Sequence, residues 1–253
     1  MEYKTIKFEK DGPIGILTLN RPEKRNAINS QMLDDLYAFF TERLTDFETR
    51  VLIMKGAGSV WCSGADIKEP AINMLDNPSP AVVYTGQRRY SEIVLMMRRV
   101  PQPIIAAVQG PAMGAGFSFA LACDIRIATD KARFVGTYIN IGLGGADMGS
   151  SYLLPRLIGS ARAYRYLLTG DDIWPPEAEK IGLVSQVVAD ENELSRTAMQ
   201  MAQNMCTKNP LGLRMTKEAL NQNLDAGSLE QALLLEDRNQ TMLLLAFPQA
   251  LHR

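Results

Sequence analysis

The sequence predicts an α/β protein whose strands end in turns of glycine and other small residues. Two observations carry this prediction. Short apolar segments lead into such turns after Val51–Met54, after Ile104–Val108 and after Phe134–Ile141. From Ser160 onward the pattern is helical, without intervening strands. A layered core followed by a helical region accounts for both observations.

The chain opens with a predicted β-hairpin and then a helix. Apolar and polar residues alternate over residues 6–8 and 14–18, on either side of Asp11-Gly12, a dipeptide that favours a tight turn. Ser30 is the predicted N-cap of the first helix. The apolar residues of this helix, which recur at helical spacing, are Met32, Leu33, Leu36, Phe39, Phe40 and Leu44.

The middle of the chain repeats one strand-to-turn pattern. The strand at Val51–Met54 continues into GAGSVWCSGADIKE, and the strand at Ile104–Val108 continues into GPAMGAG. The second turn is followed by FSFALAC, which has the composition of a buried helix. Another short strand is predicted at Ile125–Ala128. We therefore expect the turns of this core to converge.

The last third of the chain is predicted to be helical. The ARAYRYLL helix ends at Gly170, a favourable C-cap, and Trp174-Pro175-Pro176 opens a short helix. We divide the chain into a core, residues 1–195, and a C-terminal helical region, residues 196–253. Periodicity predicts three further helices, at Asn192–Cys206, Pro210–Leu224 and Leu229–Leu245.

Composition excludes several classes of function. The 253 residues are 46% apolar and 22% charged, and the net charge is −1. No basic run indicates nucleic-acid binding, and no apolar stretch has the length of a membrane span. The opening MEYKTIKFEKDG resembles a strand rather than a signal peptide. Three widely spaced cysteines without a Cys-x-x-Cys pair predict a cytoplasmic protein with free thiols.

The scarcity of histidine limits the chemistry further. The single histidine is His252, the penultimate residue. This argues against a Ser-His-Asp or Cys-His relay and excludes a histidine metal site, so we expect no metal. Proton transfer is left to a carboxylate, tyrosine, lysine, thiol or water.

Two glycine-rich turns are candidates for an oxyanion hole. SGADIKE contains Gly64-Ala65, and GPAMGAGFS contains Ala115 between two glycines. If both turns face one pocket, two backbone N–H groups could hold one oxygen atom. The simpler interpretation is that these glycines serve backbone shape or close packing. A dinucleotide-binding turn is a weaker alternative, because Gly110–Gly116 does not follow the G-x-G-x-x-G spacing.

These motifs together resemble the crotonase family, the enoyl-CoA hydratase/isomerase superfamily. The resemblance rests on VLIMKGAGSVWCSGADIKE followed by QPIIAAVQGPAMGAGFSFALACDIRIA, and on NRPEKRNAINSQM before them. PRLIGSARAYRYLLTGD and AEKIGLVSQVV match later segments, so the match runs from about Gly15 to Val188. It implies a crotonase-like spiral of ββα repeats, with a C-terminal helical region that forms homotrimers or dimers of trimers.

The resemblance also implies an acyl-CoA thioester substrate and no cofactor other than the coenzyme A of that substrate. By motif, the oxyanion donors are the N–H groups of Ala65 and Ala115. The family usually has glycine at the second of these positions. Coenzyme A would lie along Ala65-Asp66-Ile67-Lys68 and near Lys24, Arg25 and Ala27. Lys24 and Arg25 are either contacts of the CoA phosphates or two solvated cations.

The sequence departs from the family at the two glutamates with which its hydratases place and split water. Ser118 and Tyr138 occupy those positions. Neither is a carboxylate, and Tyr138 would need a strongly lowered pKa to act as a base. An ordinary two-glutamate hydratase is therefore not expected.

Asp147 is the candidate that replaces them. Counting back from Tyr152-Leu153-Leu154-Pro155 places it where dienoyl-CoA isomerases and 4-chlorobenzoyl-CoA dehalogenases of the family have an aspartate. A carboxylate among small apolar neighbours suits a group that takes and returns a proton. The alternative is a helix N-cap that accepts from N–H groups near Ser150.

Three functional hypotheses follow. The first is an acyl-CoA lyase or isomerase with Asp147 as acid and base. The second is an acyl-CoA or C–C bond hydrolase in which Asp147 activates water. The third is an acyl-CoA binder that catalyses nothing.

Overall fold

The computed structural model describes residues 2–68 and 79–248. These ranges form eight strands, nine α-helices and two short 3₁₀ helices. The strands are β1 (Ile6–Asp11), β2 (Ile14–Leu19), β3 (Val51–Gly56), β4 (Ile104–Val108), β5 (Pro111–Met113), β6 (Ile125–Thr129), β7 (Arg133–Val135) and β8 (Gln186–Val188). The helices are α1 (Ser30–Leu44), α2 (Pro80–Arg99), α3 (Ala115–Ala122), α4 (Ser150–Ile158), α5 (Ser160–Thr169), α6 (Pro175–Lys180), α7 (Glu191–Cys206), α8 (Pro210–Asn223) and α9 (Leu229–Ala246).

Six strands form one mixed sheet in the order β1-β2-β3-β4-β6-β8. The β1–β2 pair is the predicted antiparallel hairpin, and the other neighbours are parallel. Strands β5 and β7 form a separate parallel pair. The prediction that only helices follow Ser160 is wrong at β8, which adds Gln186–Val188 to the edge of the main sheet. Three residues were too few to show a strand period.

The central strands of the main sheet are buried on both faces because their residues alternate between two apolar cores. In β3, Leu52 and Met54 face the larger core, whereas Val51 and Ile53 face the smaller one. Helix α3 lies entirely within the larger core, as the FSFALAC composition predicted. The α/β class expected from the sequence is therefore confirmed.

Helix α7 covers the smaller core and crosses the predicted boundary between residues 195 and 196. Its buried residues Leu194, Ala198 and Ala202 recur every four positions and pack on the sheet. The small alanine side chains let the helix approach the strands closely. The boundary placed at residue 195 therefore divides a helix whose two halves pack on the same surface.

Helices α8 and α9 lie farther from the core. Lys217 is the buried residue of α8, and its Nζ lies 2.8 Å from Asp124 Oδ2 and donates to Gln102 O at 2.8 Å. None of the residues of α9 is buried. Within the described ranges, no helix combines the length and apolar character that crossing a membrane requires.

Two local expectations need correction. The N-cap of α1 is Asn29 rather than Ser30, because the Asn29 side chain accepts from Met32 N at 3.0 Å. Asn29 was hidden by the equally suitable serine beside it. Helix α2 was not predicted, although Ser79 caps it and Pro80 occupies its first position. His252 lies outside the described residues.

Candidate active site

The structure brings the two glycine-rich turns into contact. Cys62 N donates to Pro111 O at 3.1 Å, and Met113 N donates to Cys62 O at 2.9 Å. A Cβ atom on Gly64 would lie 3.5 Å from Ala115 N and 2.9 Å from Met113 O. The backbone of the first turn therefore lies directly against the start of α3.

Both predicted oxyanion donors are available at this junction. Ala115 is the first residue of α3, where a backbone N–H has no acceptor within the helix. Two nearby N–H groups form hydrogen bonds within the protein: Ser63 N, two residues before Ala65, donates to Arg25 O, and Asp66 N, the next residue, donates to Ile28 O. Throughout residues 2–68 and 79–248, no hydrogen bond occupies the N–H of Ala65 or of Ala115.

Asn26 holds the first turn in place from beneath. Its Nδ2 donates to Ala57 O at 2.9 Å and to Val60 O at 2.7 Å, and its Oδ1 accepts from Arg21 N at 2.9 Å. Its φ of 53° is in the left-handed region, which asparagine tolerates better than most residues. This fully buried amide fixes the path of the chain that leads to Ala65.

Asp66 has a structural role that the sequence did not reveal. Its Oδ2 lies 2.9 Å from Arg21 Nη1, and both side chains are buried. Its Oδ1 accepts from Lys68 N at 3.0 Å. The carboxylate is thus engaged within the protein, and a contact of Asp66 with coenzyme A could involve only its backbone. Sequence reasoning missed Arg21, which lies 45 residues away along the chain.

The other predicted CoA contacts line the outside of the same turn. Ile67 is 82% exposed, and Lys68 is also exposed. Lys24 and Arg25 are exposed at the end of a 3₁₀ helix, Pro22–Lys24, whereas Ala27 is buried. Arg25 O accepts from Ser63 N, so the segment with Lys24 and Arg25 lies beside the first turn, and its contacts with coenzyme A stay a prediction.

Ser118 and Tyr138 form a buried pair beside the second turn. Ser118 Oγ lies 2.9 Å from Tyr138 OH, and Ser118 Oγ donates to Asp147 O at 3.2 Å. A Cβ atom on Gly114 would lie 3.8 Å from Tyr138 Cε1, so the ring borders the turn that carries Ala115. The two residues that the resemblance predicts at the glutamate positions are thus adjacent, and both carry hydroxyl groups.

Burial keeps the Tyr138 phenol protonated. Desolvation raises the pKa of Tyr138 well above its ordinary value of 10.0, and the hydrogen bond with Ser118 opposes this only in part. A base at this position would need the opposite shift. Tyr138 can therefore act as a neutral hydrogen-bond donor but not as a phenolate base.

Asp147 is half-buried, and its carboxylate is held by two donors. Its Oδ1 accepts from Gln87 Nε2 at 2.6 Å and from Met148 N at 2.7 Å. The alternative that its carboxylate caps a helix is wrong, because α4 has Gly149 as N-cap and no side-chain cap. The local bond runs the other way, with Ser150 Oγ accepting from Asp147 N at 3.0 Å.

The residue after Asp147 adopts an unusual backbone conformation. Met148 is buried and has a φ of 47°, which costs a non-glycine residue free energy. Its Sδ lies 3.8 Å from Tyr138 OH. Strained positions of this kind cluster at functional sites.

Among the described residues, no group of three His, Cys, Asp or Glu is arranged to hold a metal ion.

Gln87 is another site residue that sequence reasoning missed. It lies on α2, and its separation of 60 positions from Asp147 along the chain hides their contact. The sequence carried a usable signal for the helix, since Ser79-Pro80 is a favourable start and Tyr90, Ile93 and Met97 follow at helical spacing. It carried no signal for the hydrogen-bond partner of Gln87.

Comparisons with known proteins identify what this chain resembles. A family model described as enoyl-CoA hydratase/isomerase matches residues 9–245. The probable enoyl-CoA hydratase echA12 of Mycobacterium leprae is 39% identical over 92% of this chain and 79% of its own length. The 1,2-epoxyphenylacetyl-CoA isomerase of Escherichia coli is 36% identical over 93% of this chain and 88% of its own. The structure of a probable enoyl-CoA hydratase/isomerase from Mycobacterium abscessus is 35% identical, covers 96% and 91% of the two chains, and superposes with a TM-score of 0.89.

Proposed function

The chain belongs to the enoyl-CoA hydratase/isomerase family, and we propose that it isomerises an acyl-CoA thioester with Asp147 as the group that moves the proton. Membership makes it an enzyme of this family with the crotonase-like fold. The names of its relatives do not select the reaction, since the Mycobacterium leprae relative is named a hydratase and the Escherichia coli relative an isomerase.

The observation that carries the proposal is the position of Asp147 beside the Ala115 turn. Its backbone oxygen accepts from Ser118 Oγ, and Ser118 follows Ala115 by one turn of α3. The phenol of Tyr138 completes the connection, because it contacts both Ser118 and the Gly114 region. Asp147, a neutral phenol and the turn that carries Ala115 are thus connected by hydrogen bonds and contacts.

The proposed reaction uses each of these groups. The N–H groups of Ala65 and Ala115 hold the thioester carbonyl oxygen and stabilise the enolate that forms when a proton leaves. Asp147 takes a proton from the carbon alpha or gamma to the carbonyl, exchanges it with solvent and delivers a proton to the other carbon. The double bond moves, and no atom is gained or lost. Tyr138 and Ser118 supply hydroxyl groups where a hydratase of this family would have two carboxylates.

The absence of those two carboxylates favours isomerisation over hydration. Hydration requires that a water molecule be held, deprotonated and added across the double bond. Burial maintains the phenol of Tyr138 in its protonated form, and none of the residues that the structure describes is a histidine that could activate Ser118. One carboxylate suffices for a proton shuttle, because the same group can remove a proton from one carbon, exchange it with solvent and deliver a proton to another carbon.

We also propose that coenzyme A lies along the outside of the first turn. The exposed Ile67 and Lys68 border it on one side, and the exposed Lys24 and Arg25 supply positive charge for phosphate groups.

A trimer or a dimer of trimers is proposed as well, because α9 carries apolar residues that are not buried within one chain. Six of them are more than two-fifths exposed: Leu229, Leu233, Leu234, Met242, Leu244 and Leu245.

The proposal is tested by mass spectrometry of thioesters incubated with the protein in heavy water. Crotonyl-CoA, a 3-enoyl-CoA and a dienoyl-CoA are compared for wild type, Asp147→Asn and Asp11→Asn. The amide introduced by Asp147→Asn retains an oxygen that can accept from Gln87, whereas Asp11 is exposed in the β1–β2 hairpin and serves as the matched control. Because general acid–base groups contribute about 10²–10⁴-fold, Asp147→Asn should lower deuterium uptake by at least about 100-fold.

Each outcome has a distinct meaning. Uptake of deuterium without added water, lost in Asp147→Asn and kept in Asp11→Asn, supports the isomerase. Addition of a whole water molecule would show hydration, and release of free acid would show hydrolysis. Either result, or full exchange by Asp147→Asn, contradicts the proposal.

A further inference from the structure

Both hydrogen bonds that hold the Asp147 carboxylate fall on the same oxygen atom. Gln87 Nε2 donates to Oδ1 at 2.6 Å, and Met148 N donates to Oδ1 at 2.7 Å. In the part of the chain that the structure describes, no hydrogen bond reaches Oδ2. Oδ1 is therefore occupied by two donors of the protein, whereas Oδ2 remains available to exchange a proton.

The two donors differ in what they can control. The Met148 amide is adjacent in sequence and moves with Asp147. Gln87 approaches from α2, a separate element, and so determines where the carboxylate lies relative to the rest of the site. Its amide is neutral, so it orients the carboxylate without forming an ion pair.

Helix α2 is in turn attached to the segment that carries the first oxyanion donor. Tyr90, three residues after Gln87 on the same face of the helix, donates from its OH to Ile28 O at 3.2 Å. Ile28 N donates to Gly64 O at 2.8 Å, one residue before Ala65. The series of contacts that begins at Asp147 and passes through α2 thus ends at the turn that carries Ala65.

A second anchor fixes the same region of α2. Arg89 Nη1 donates to Ser30 Oγ at 2.7 Å, and Arg89 Nη2 lies 2.5 Å from Asp34 Oδ1. Both acceptors lie in the first turns of α1. Gln87 therefore extends from a helix whose position is fixed two and three residues further on, rather than from a free surface.

We propose that Gln87 is a positioning residue. It holds Asp147 Oδ1 so that Oδ2 faces the reacting carbon of a substrate bound between the turns that carry Ala65 and Ala115. The proposal rests on the proposed role of Asp147 in proton transfer. Its physical basis is that reaction rate depends on placement of the reacting groups to within about 1 Å, whereas substrate binding does not involve this hydrogen bond.

The test compares Gln87→Leu with Gln31→Leu. Gln31 Nε2 donates to Asp35 Oδ1 at 2.9 Å, so this control removes the same type of hydrogen bond away from the oxyanion turns. The rate of deuterium exchange is measured on the thioester that wild type exchanges fastest. For Gln87→Leu we expect kcat to fall by about 10- to 100-fold while KM changes less than about twofold. Gln31→Leu should keep both constants within about twofold.

A double variant separates this inference from the proposed function. In an Asp147→Asn background, Gln87→Leu should have no further effect, because the two residues act as one unit. If Asp147→Asn exchanges normally, the proposed function fails and the inference fails with it. If Asp147→Asn is inactive while Gln87→Leu keeps wild-type kcat, only the inference fails. A rise in KM at constant kcat would also overturn it, since Gln87 would then bind substrate.

Discussion

The conformation of single residues decides whether the two turns can meet. Gly64 has a φ of +100°, and a Cβ atom there would lie 2.9 Å from Met113 O. Gly116 is constrained by close contact alone, since its Cβ atom would lie 2.4 Å from Cys62 O. These glycines are needed for close approach of backbone to backbone, which is also what brings Ala65 near Ala115.

We expect Gly64→Ala to lower both stability and activity. The substitution combines an unfavourable φ with a clash between the new Cβ atom and the backbone oxygen of Met113, which cannot rotate away as a side chain could. It should therefore reduce the free energy of unfolding by about 3 kcal/mol. Gly12→Ala is the matched control, because Gly12 has a φ of +55° and open space around it. It should cost only about 1 kcal/mol and leave exchange activity intact. Equal unfolding free energies of the two variants in urea would contradict the steric argument.

At the scale of elements, the helices differ in how much of their surface the single chain covers. Helix α7 buries residues on the main sheet, and α8 is anchored by Lys217. Helix α9 contacts α8 but exposes leucines along its length. A helix without a buried face gains little stability from tertiary packing, so its apolar residues need another surface.

The prediction for α9 is therefore a loss of subunit association when its leucines become charged. We expect the wild-type chain to sediment as a trimer or a hexamer. Leu233→Glu combined with Leu234→Glu should shift it to monomers, because burying two unpaired carboxylates is costly. Glu230→Gln, on the same helix, should leave the assembly unchanged. Sedimentation velocity checks this, and a wild-type monomer would refute the proposed oligomer.

At the scale of the whole molecule, buried ionisable groups link folding to pH. Burial raises the pKa of the thiols of Cys62 and Cys123 from 9.0 to about 12 each. A raised folded-state pKa gives stability that is fully present below pH 9 and lost as pH rises toward 12. Lys217 contributes to stability with the opposite dependence on pH. Burial lowers its pKa from 10.5, so its contribution to the free energy of unfolding increases as pH rises.

We expect Cys123→Ala to flatten this alkaline loss of stability. Each thiol contributes about 1.4 kcal/mol per pH unit between its unfolded and folded pKa values. The free energy of unfolding of the variant should therefore decline less steeply than that of wild type between about pH 9.5 and 11. Cys206→Ala, at a half-buried thiol, should change the slope less. Parallel curves for wild type and Cys123→Ala would show that this thiol does not carry the effect.

Features that depend on neighbours along the chain could be predicted without coordinates. Alternation around Asp11-Gly12 predicted the hairpin, and helical spacing predicted α1 and α7 to α9, with ends displaced by a residue or two. The glycine-rich motifs indicated the family, because several of them occur in a fixed order. The sequence also predicts serine and tyrosine at the positions of the two family glutamates, and this assignment stays a prediction.

Which distant side chains meet could be learned from the three-dimensional structure alone. The members of the pairs Gln87–Asp147 and Arg21–Asp66 lie 60 and 45 positions apart along the chain. No periodic pattern in the sequence indicates either pairing. The bond from Asp147 N to Ser150 Oγ reverses the capping role that the local sequence allowed. The physical reason is that hydrogen bonds act over about 3 Å, and the path of the whole backbone decides which groups come that close.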